Sequence, residues 1–106
     1  GRAEVRDTQE ISYVIGEYEF NPSSKVLTIR GEQTTLAARE AAVLVRLCHK
    51  RGRVVEASEL LKELWGDDNY FNLRSLNVYI TRLRNHLKAD PTVEIESVRG
   101  VGYLLK

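Results

Sequence analysis

The residues best suited to recognise a ligand lie together between positions 74 and 84. They combine guanidinium groups with a hydroxyl, a phenol and a small apolar side chain: Arg74, Ser75, Val78, Tyr79, Arg82 and Arg84. Arginine can donate two hydrogen bonds to guanine O6 and N7, and a small apolar side chain can contact the methyl group of thymine. The stretch 73–89 contains no Asp or Glu. This composition predicts contact with double-stranded DNA; the alternative is a solvated helix face that lacks acidic residues.

A helix would present these side chains on one surface. Apolar residues recur between them at intervals of three and four, at Leu73, Leu76, Ile80, Leu83 and Leu87. Such a stripe packs on a core, so the pattern predicts a helix over residues 73–88 with Asn72 as its N-cap. The B-DNA major groove is about 12 Å wide and admits a whole α-helix. We therefore expect the opposite face of this helix to enter the groove.

A second candidate contact lies near the C-terminus. Residues 93–98 alternate between apolar and polar, and a glycine-rich turn leads to a second strand at 103–105. Gly100 and Gly102 permit a tight turn and a close approach to a partner's backbone. Arg99 would project from the tip, where it could enter the minor groove. A plain hairpin with a solvated arginine explains this motif equally well.

The rest of the chain supplies a scaffold for these two elements. Short β-like stretches fall at residues 13–15, 18–20, 25–30 and 33–36, and amphipathic helices at 38–51 and 57–65. The order predicts an α+β winged helix-turn-helix, with an N-terminal antiparallel sheet, three helices and a C-terminal β-hairpin wing. Residues 11–106 are expected to form one domain. The polar residues 1–10 are expected to be the end of a linker or the remnant of a tag.

Composition excludes several other classes of protein. The net charge is only +1, but residues 74–106 carry six Lys and Arg against three Asp and Glu. Cys48 is the single cysteine and lies in an apolar run, so we expect a small core residue. His49 and His86 lack partners at catalytic or metal-binding spacing, and we expect no enzyme, metal or cofactor. No apolar run is long enough to span a membrane, which favours a cytoplasmic protein.

Four segments in this order closely resemble the effector domains of OmpR/PhoB-type response regulators. They are Glu40–Leu44, Leu60–Gly66, Arg74–Arg84 and Ser97–Tyr103. The resemblance covers about residues 12–105. It implies a winged helix with a four-stranded N-terminal sheet and a role in transcription regulation within a bacterial two-component system. The chain departs from the family at Ala37 and Glu56, where relatives often have a Thr and a Ser helix cap.

The resemblance also implies roles for individual residues. Ser75, Val78, Tyr79 and Arg82 would face bases, Arg74 and Arg84 would meet phosphates, and Arg99 with Gly100 would lie at the minor groove. Trp65 would lie near the phosphate backbone. Asp67, Asp68 and Asn69, in the loop 66–72, would contact RNA polymerase; a simple helix connection with solvated acids is the alternative.

The implied partners extend beyond the operator. Two copies would bind head-to-tail on direct-repeat half-sites of DNA, after a receiver domain of the same chain is phosphorylated by its sensor kinase. The closest alternative function is a protein-interaction module, since an exposed aromatic side chain suits such a surface too. RNA binding is a third option, but the deep, narrow major groove of RNA would exclude the helix.

Overall fold

The N-terminal part of the domain is a four-stranded antiparallel sheet. The structure, a computed structural model, describes residues 11–106, and the predicted linker or tag end at 1–10 lies outside the described residues. The strands pair in sequence order: β1 (Tyr13–Ile15), β2 (Tyr18–Asn21), β3 (Val26–Ile29) and β4 (Glu32–Thr35). One face of the sheet supplies core side chains, because residues that alternate along a strand point the same way. Ile15, Tyr18, Phe20 and Leu27 are buried in this way.

Three helices follow and enclose the core. They are α1 (Ala38–His49), α2 (Ala57–Leu64) and α3 (Tyr70–His86). Apolar residues at helical spacing dominate their buried positions, including Leu44 and Leu47 of α1 and Leu60 and Leu61 of α2. Cys48 is half-buried against this core, as predicted, and burial raises the pKa of its thiol to about 12.

The C-terminal hairpin belongs to a second, three-stranded sheet. Strands β6 (Ile95–Val98) and β7 (Gly102–Leu105) form the wing, and β7 also pairs with β5 (Val54–Glu56), a strand between α1 and α2. Val55 lies opposite Tyr103 in this pairing. The sheet therefore attaches the wing to the segment that leads into α2. The fold class predicted from the sequence is confirmed, but strand β5 was missed.

The predicted start of α3 was wrong. The helix begins at Tyr70 rather than at Leu73, and its N-cap is Asn69, whose Oδ1 accepts a hydrogen bond from the backbone N–H of Asn72 at 2.9 Å. Asn72 instead donates its side-chain amide to the carbonyl of Asp67. The helix also ends at His86, two residues earlier than expected. The loop before α3 is consequently shorter than the predicted segment 66–72.

The two helix starts that lack a typical cap are stabilised differently. At α1, the backbone N–H of Ala37 donates to Glu40 Oε1 at 2.8 Å, which forms half of a capping box. At α2, the backbone N–H of Ala57 donates to the carbonyl of Val101 at 2.9 Å, so the wing turn satisfies a helix N-terminus. Glu56 makes no side-chain cap there.

Candidate nucleic-acid interface

Helix α3 has two chemically distinct faces. Leu76, Ile80, Leu83 and Leu87 are at most 2% exposed and Leu73 is half-buried against the core, so the predicted stripe is confirmed. On the other side, Val78 is 50% exposed and Arg74 and Arg82 are exposed. Ser75 and Tyr79 are half-buried. The predicted reading residues thus share the outward side of the helix, although Ser75 and Tyr79 are only partly exposed there.

An aromatic and cationic cluster supports this outward face. The Tyr79 ring lies 5.8 Å from the Trp65 ring, and the guanidinium carbon of Arg82 lies 5.4 Å from the centroid of Tyr79. Arg39, from α1, places its guanidinium carbon 4.3 Å from the centroid of Trp65. We call these four residues the Trp65 cluster. Cation–π contacts of this kind stabilise the positions of the rings and the guanidinium groups.

The start of α3 exposes further aromatic surface. Tyr70 and Phe71 are 66% and 76% exposed, and their rings lie 6.0 Å apart. Arg74 places its guanidinium carbon 6.0 Å from the Tyr70 ring. Because the helix begins at Tyr70, Arg74 lies in the second turn and not in the first, where the sequence placed it. It remains free to extend from the helix toward an anion.

The wing tip is shaped by its glycines. Gly100 has φ +75°, a left-handed conformation that favours glycine, and Arg99 beside it is exposed. Gly102 is buried, and a Cβ atom there would collide with the carbonyl oxygen of Val55. The close approach predicted for this glycine is therefore to strand β5 of the same chain, and not to a partner. Gly100 and Arg99 remain available at the tip.

Arg84 has a different environment from the one expected of a phosphate contact. Its Nε and Nη2 donate to the carbonyl of Ile95 at 3.0 and 2.8 Å, and Nη2 also donates to Ser97 Oγ at 2.8 Å. The side chain therefore joins α3 to strand β6. Arg84 is exposed and only its Nε and Nη2 are engaged in these bonds, so the side chain links helix and wing and its phosphate role stays a prediction.

A second link between α3 and the wing lies on strand β7. The hydroxyl of Tyr103 donates a hydrogen bond to Asn77 Oδ1. Tyr103 is 8% exposed, and this burial raises its pKa, while the charge of Arg84 acts in the opposite direction. Together with Arg84, this contact fixes the wing relative to the outward face of α3.

The loop between α2 and α3 carries its two carboxylates on the surface. Asp67 and Asp68 are exposed, while Asn69 is occupied as the cap of α3. The loop is followed at once by the exposed rings of Tyr70 and Phe71. Acidic and aromatic side chains are therefore adjacent on this part of the surface.

Sequence reasoning missed Arg39, Asn77 and Tyr103 as parts of the interface region. Tyr103 and Asn77 lie in the family-like segments Ser97–Tyr103 and Arg74–Arg84, but neither residue was given a role of its own. Arg39 lies 26 positions before Trp65 in the chain, so no local spacing connects the two. The contact between Arg39 and Trp65 depends on how α1 packs beside α2 and α3.

Arginines dominate the charge of this surface. Among the described residues, no carboxylate forms an ion pair with Arg39, Arg74, Arg82 or Arg99. By contrast, Arg46 of α1 pairs with Glu63 of α2 at 2.7 Å. Residues 11–106 contain no group of three side chains that could hold a metal ion. In the same range, no helix has the length and apolar character of a membrane span.

Comparison with known proteins places this architecture in a family. Residues 31–105 match the family described as transcriptional regulatory protein, C terminal. The chain is 43% identical over 93 residues to the transcriptional regulatory protein RprY of Bacteroides fragilis, covering 88% of this chain and 39% of RprY. It is 35% identical over 82 residues to the response regulator SaeR of Staphylococcus aureus, covering 76% of this chain and 36% of SaeR. The chain thus spans about two fifths of the length of the curated relatives it matches.

Solved structures agree with this assignment. The DNA-binding domain of Klebsiella pneumoniae RstA, solved in complex with the RstA box, matches with a TM-score of 0.74 and 29% identity; 89% of this chain and 95% of that one are covered. The C-terminal domain of the nisin resistance regulator NsrR matches with a TM-score of 0.71 and 31% identity, covering 88% and 94%. This chain therefore belongs to the family of transcriptional regulatory protein C-terminal domains, the winged-helix DNA-binding effector domains of OmpR/PhoB-type response regulators.

Proposed function

We propose that the domain recognises a specific DNA sequence by inserting α3 into the major groove and the tip of the wing into the adjacent minor groove. The observation that carries this proposal is the outward face of α3, which is acid-free and bears Arg74 and Arg82 without any carboxylate partner among the described residues. An arginine without a carboxylate partner can bind a DNA phosphate, which releases the counterions condensed there, or it can bind guanine.

Two classes of contact follow from the positions of the side chains. Ser75, Val78, Tyr79 and Arg82 read base edges, because they share the outward side of the helix. Arg74 binds a phosphate from the second helical turn, and Trp65 lies at the flank next to the backbone. Arg99 and Gly100 occupy the minor groove, where the negative potential attracts arginine. Arg84 holds the wing through Nε and Nη2 and meets a phosphate with its remaining N–H groups.

The wider regulatory context is part of the same proposal. Two copies bind head-to-tail on direct-repeat half-sites, and a receiver domain, phosphorylated by a sensor kinase, brings them together. This part of the proposal is supported by the family to which the domain belongs. It is also supported by the match to only 39% of the length of RprY, a transcriptional regulatory protein. The domain acts by binding alone, without an enzymatic step, and works in the bacterial cytoplasm where its DNA lies.

The α2–α3 loop contacts RNA polymerase in this proposal. Its support is the exposed carboxylates of Asp67 and Asp68, which suit a basic partner, beside the exposed rings of Tyr70 and Phe71. Asn69 contributes by fixing the end of the loop. The double variant Asp67→Asn, Asp68→Asn should bind DNA with unchanged affinity and lose stimulation of transcription in a reconstituted assay. Unchanged stimulation would argue against this contact.

A salt titration separates DNA recognition from the alternative of a protein-interaction module. Duplexes enriched from a random pool, scrambled duplexes and single strands are titrated with the domain, using the emission of Trp65, the only tryptophan, as the signal. We expect the isolated domain to bind weakly, but to prefer the enriched duplex to the other two probes, with a steep linear fall of log K with log salt. Absence of any duplex preference at modest ionic strength would contradict the proposed function.

A further inference from the structure

Arg39 lies on the flank of α3 although it belongs to another helix. Its guanidinium carbon is 4.3 Å from the centroid of Trp65, whose ring is 5.8 Å from that of Tyr79. Arg82 extends the series, with its guanidinium carbon 5.4 Å from the Tyr79 ring. Three consecutive contacts therefore join the start of α1 to the outward residues of α3. The Trp65 cluster forms one continuous surface.

The guanidinium of Arg39 contacts an aromatic ring but no described carboxylate. Among residues 11–106, no carboxylate pairs with it. Glu40, the nearest acid in sequence, is buried; its Oε1 accepts from the backbone N–H of Ala37 and lies 3.5 Å from His86 Nε2. A guanidinium that stacks on an aromatic ring keeps its N–H groups directed outward in the plane. Trp65 thus holds a guanidinium that has no carboxylate partner within the described part of the chain.

The dimensions of the groove indicate what this fork would meet. An α-helix with its side chains is about 10–12 Å across and nearly fills a major groove about 12 Å wide. A cation held beyond the flank of that helix faces the phosphate backbone rather than the bases. We propose that Arg39 is a phosphate-binding residue, oriented by Trp65, which adds α1 to the DNA interface. This inference rests on the proposed function of α3.

Two substitutions at Arg39 separate its charge from its stacking. Arg39→Gln removes the charge but keeps a long planar end, whereas Arg39→Lys keeps the charge and loses the guanidinium plane. Arg46→Gln is the matched control, because it removes the same charge from the same helix where Arg46 is paired with Glu63. The four proteins, wild type included, are titrated with an enriched and a scrambled duplex between about 50 and 200 mM salt.

The proposal predicts a change in salt dependence without a change in base preference. Over that range, the affinity of the wild type should fall about three- to fourfold more than that of Arg39→Gln, the difference expected for one phosphate contact. Arg39→Gln should weaken both duplexes by the same factor, Arg39→Lys should keep the wild-type slope, and Arg46→Gln should behave as wild type.

Several results would overturn the proposal. If Arg39→Gln had the same salt slope as the wild type, Arg39 would not contact a phosphate. If Arg46→Gln lowered the slope by the same amount as Arg39→Gln, the change would reflect the net charge of the protein and not a specific contact. A loss confined to the enriched duplex would make Arg39 a support for Tyr79 and not a phosphate ligand. If the wild type bound no duplex at all, the proposed function itself would fail, and this proposal with it.

Discussion

At the scale of single residues, Tyr79 combines an outward position with a fixed orientation. Its ring packs on Trp65 and under the guanidinium of Arg82, so it is half-buried while remaining on the surface of α3. A side chain that is already held in place loses less conformational entropy when a ligand binds. Neighbouring Val78, at 50% exposure, adds an apolar contact that suits a thymine methyl. The reading surface is therefore partly preorganised.

Arg74 should act on affinity and not on preference. Its guanidinium extends from the second turn of α3 with no ion pair among the described residues. Arg74→Ala should weaken binding to every duplex alike and lower the slope of log K against log salt by roughly one unit. Arg30→Gln, which removes a charge paired with Glu17 in the N-terminal sheet, is the control. A loss restricted to one operator sequence would refute a phosphate role.

Leu83 and Val78 lie on opposite sides of the same helix and allow a direct test of the two faces. Leu83 is fully buried, so Leu83→Ala should lower the free energy of unfolding by about 2–5 kcal/mol through the cavity it leaves. Val78→Ala removes a half-exposed side chain and should change stability by only about 0.5 kcal/mol. Urea denaturation of both variants measures the difference. Equal effects would mean that the faces are wrongly assigned.

At the scale of elements, the wing is attached to α3 from both of its strands. Arg84 bonds to Ile95 and Ser97 on β6, and Asn77 receives the hydroxyl of Tyr103 on β7. The turn between these strands also accepts the first N–H of α2, through the carbonyl of Val101. These contacts restrict the angle between wing and helix. The two groove contacts that we propose are therefore mechanically coupled.

Asp90 connects the end of α3 to the N-terminal sheet and makes stability depend on pH. It is 3% exposed; its Oδ1 accepts from the hydroxyl and N–H of Thr92, and its Oδ2 from the N–H of Glu17. These hydrogen bonds, that of the Thr92 hydroxyl first, lower the pKa of Asp90. The stabilisation is thus present above the ordinary aspartate pKa of about 3.9 and is lost as pH falls through the lower native value.

Asp90→Asn should therefore be less stable than the wild type at neutral pH, and the gap should shrink as pH falls below about 4. Thermal melting at a series of pH values measures this gap. Asp68→Asn, a change at an exposed loop carboxylate, is the control and should follow the wild-type curve. A gap between Asp90→Asn and wild type that stays constant down to pH 2 would contradict the assignment.

The elements of this fold were predictable where local periodicity decides them. The stripe of Leu76, Ile80, Leu83 and Leu87 places α3 and its buried face, and both agree with the structure. The start of α3 was mispredicted because Asn69 and Asn72 are equally good cap residues by type. The structure uses Asn69 as the cap. Tyr70 and Phe71 can then form the first turn of the helix, because both side chains stay exposed and neither has to be packed on the core.

Contacts between distant segments could not be read in the same way. Strand β5 has only three residues, too few for an alternating pattern, and it forms by pairing with β7 almost fifty positions later. The link from Arg84 to the wing likewise depends on the packing of the hairpin against the helix. For the interface, the sequence located the outward residues of α3, but Arg39 enters the region only through tertiary packing.

At the scale of the whole molecule, charge is distributed unevenly despite a net charge of +1. Two acidic residues of α2 pair with basic residues at α1 and its C-terminal end, Glu63 with Arg46 and Glu59 with Lys50. The arginines around α3 and at the wing tip are left without such pairs among the described residues. A polyanion would therefore be attracted to one side of the domain, although its overall charge is nearly neutral.

The central claim is that the outward face of α3 reads base sequence, and Arg82 tests it most directly. Wild type and Arg82→Ala each select duplexes from the same random pool, and the enriched motifs and their affinities are compared. We expect Arg82→Ala to lose preference at one base position and to bind the wild-type motif about 1–3 kcal/mol more weakly. If both proteins enrich the same motif with the same affinity, the face of α3 that carries Arg82 does not read DNA.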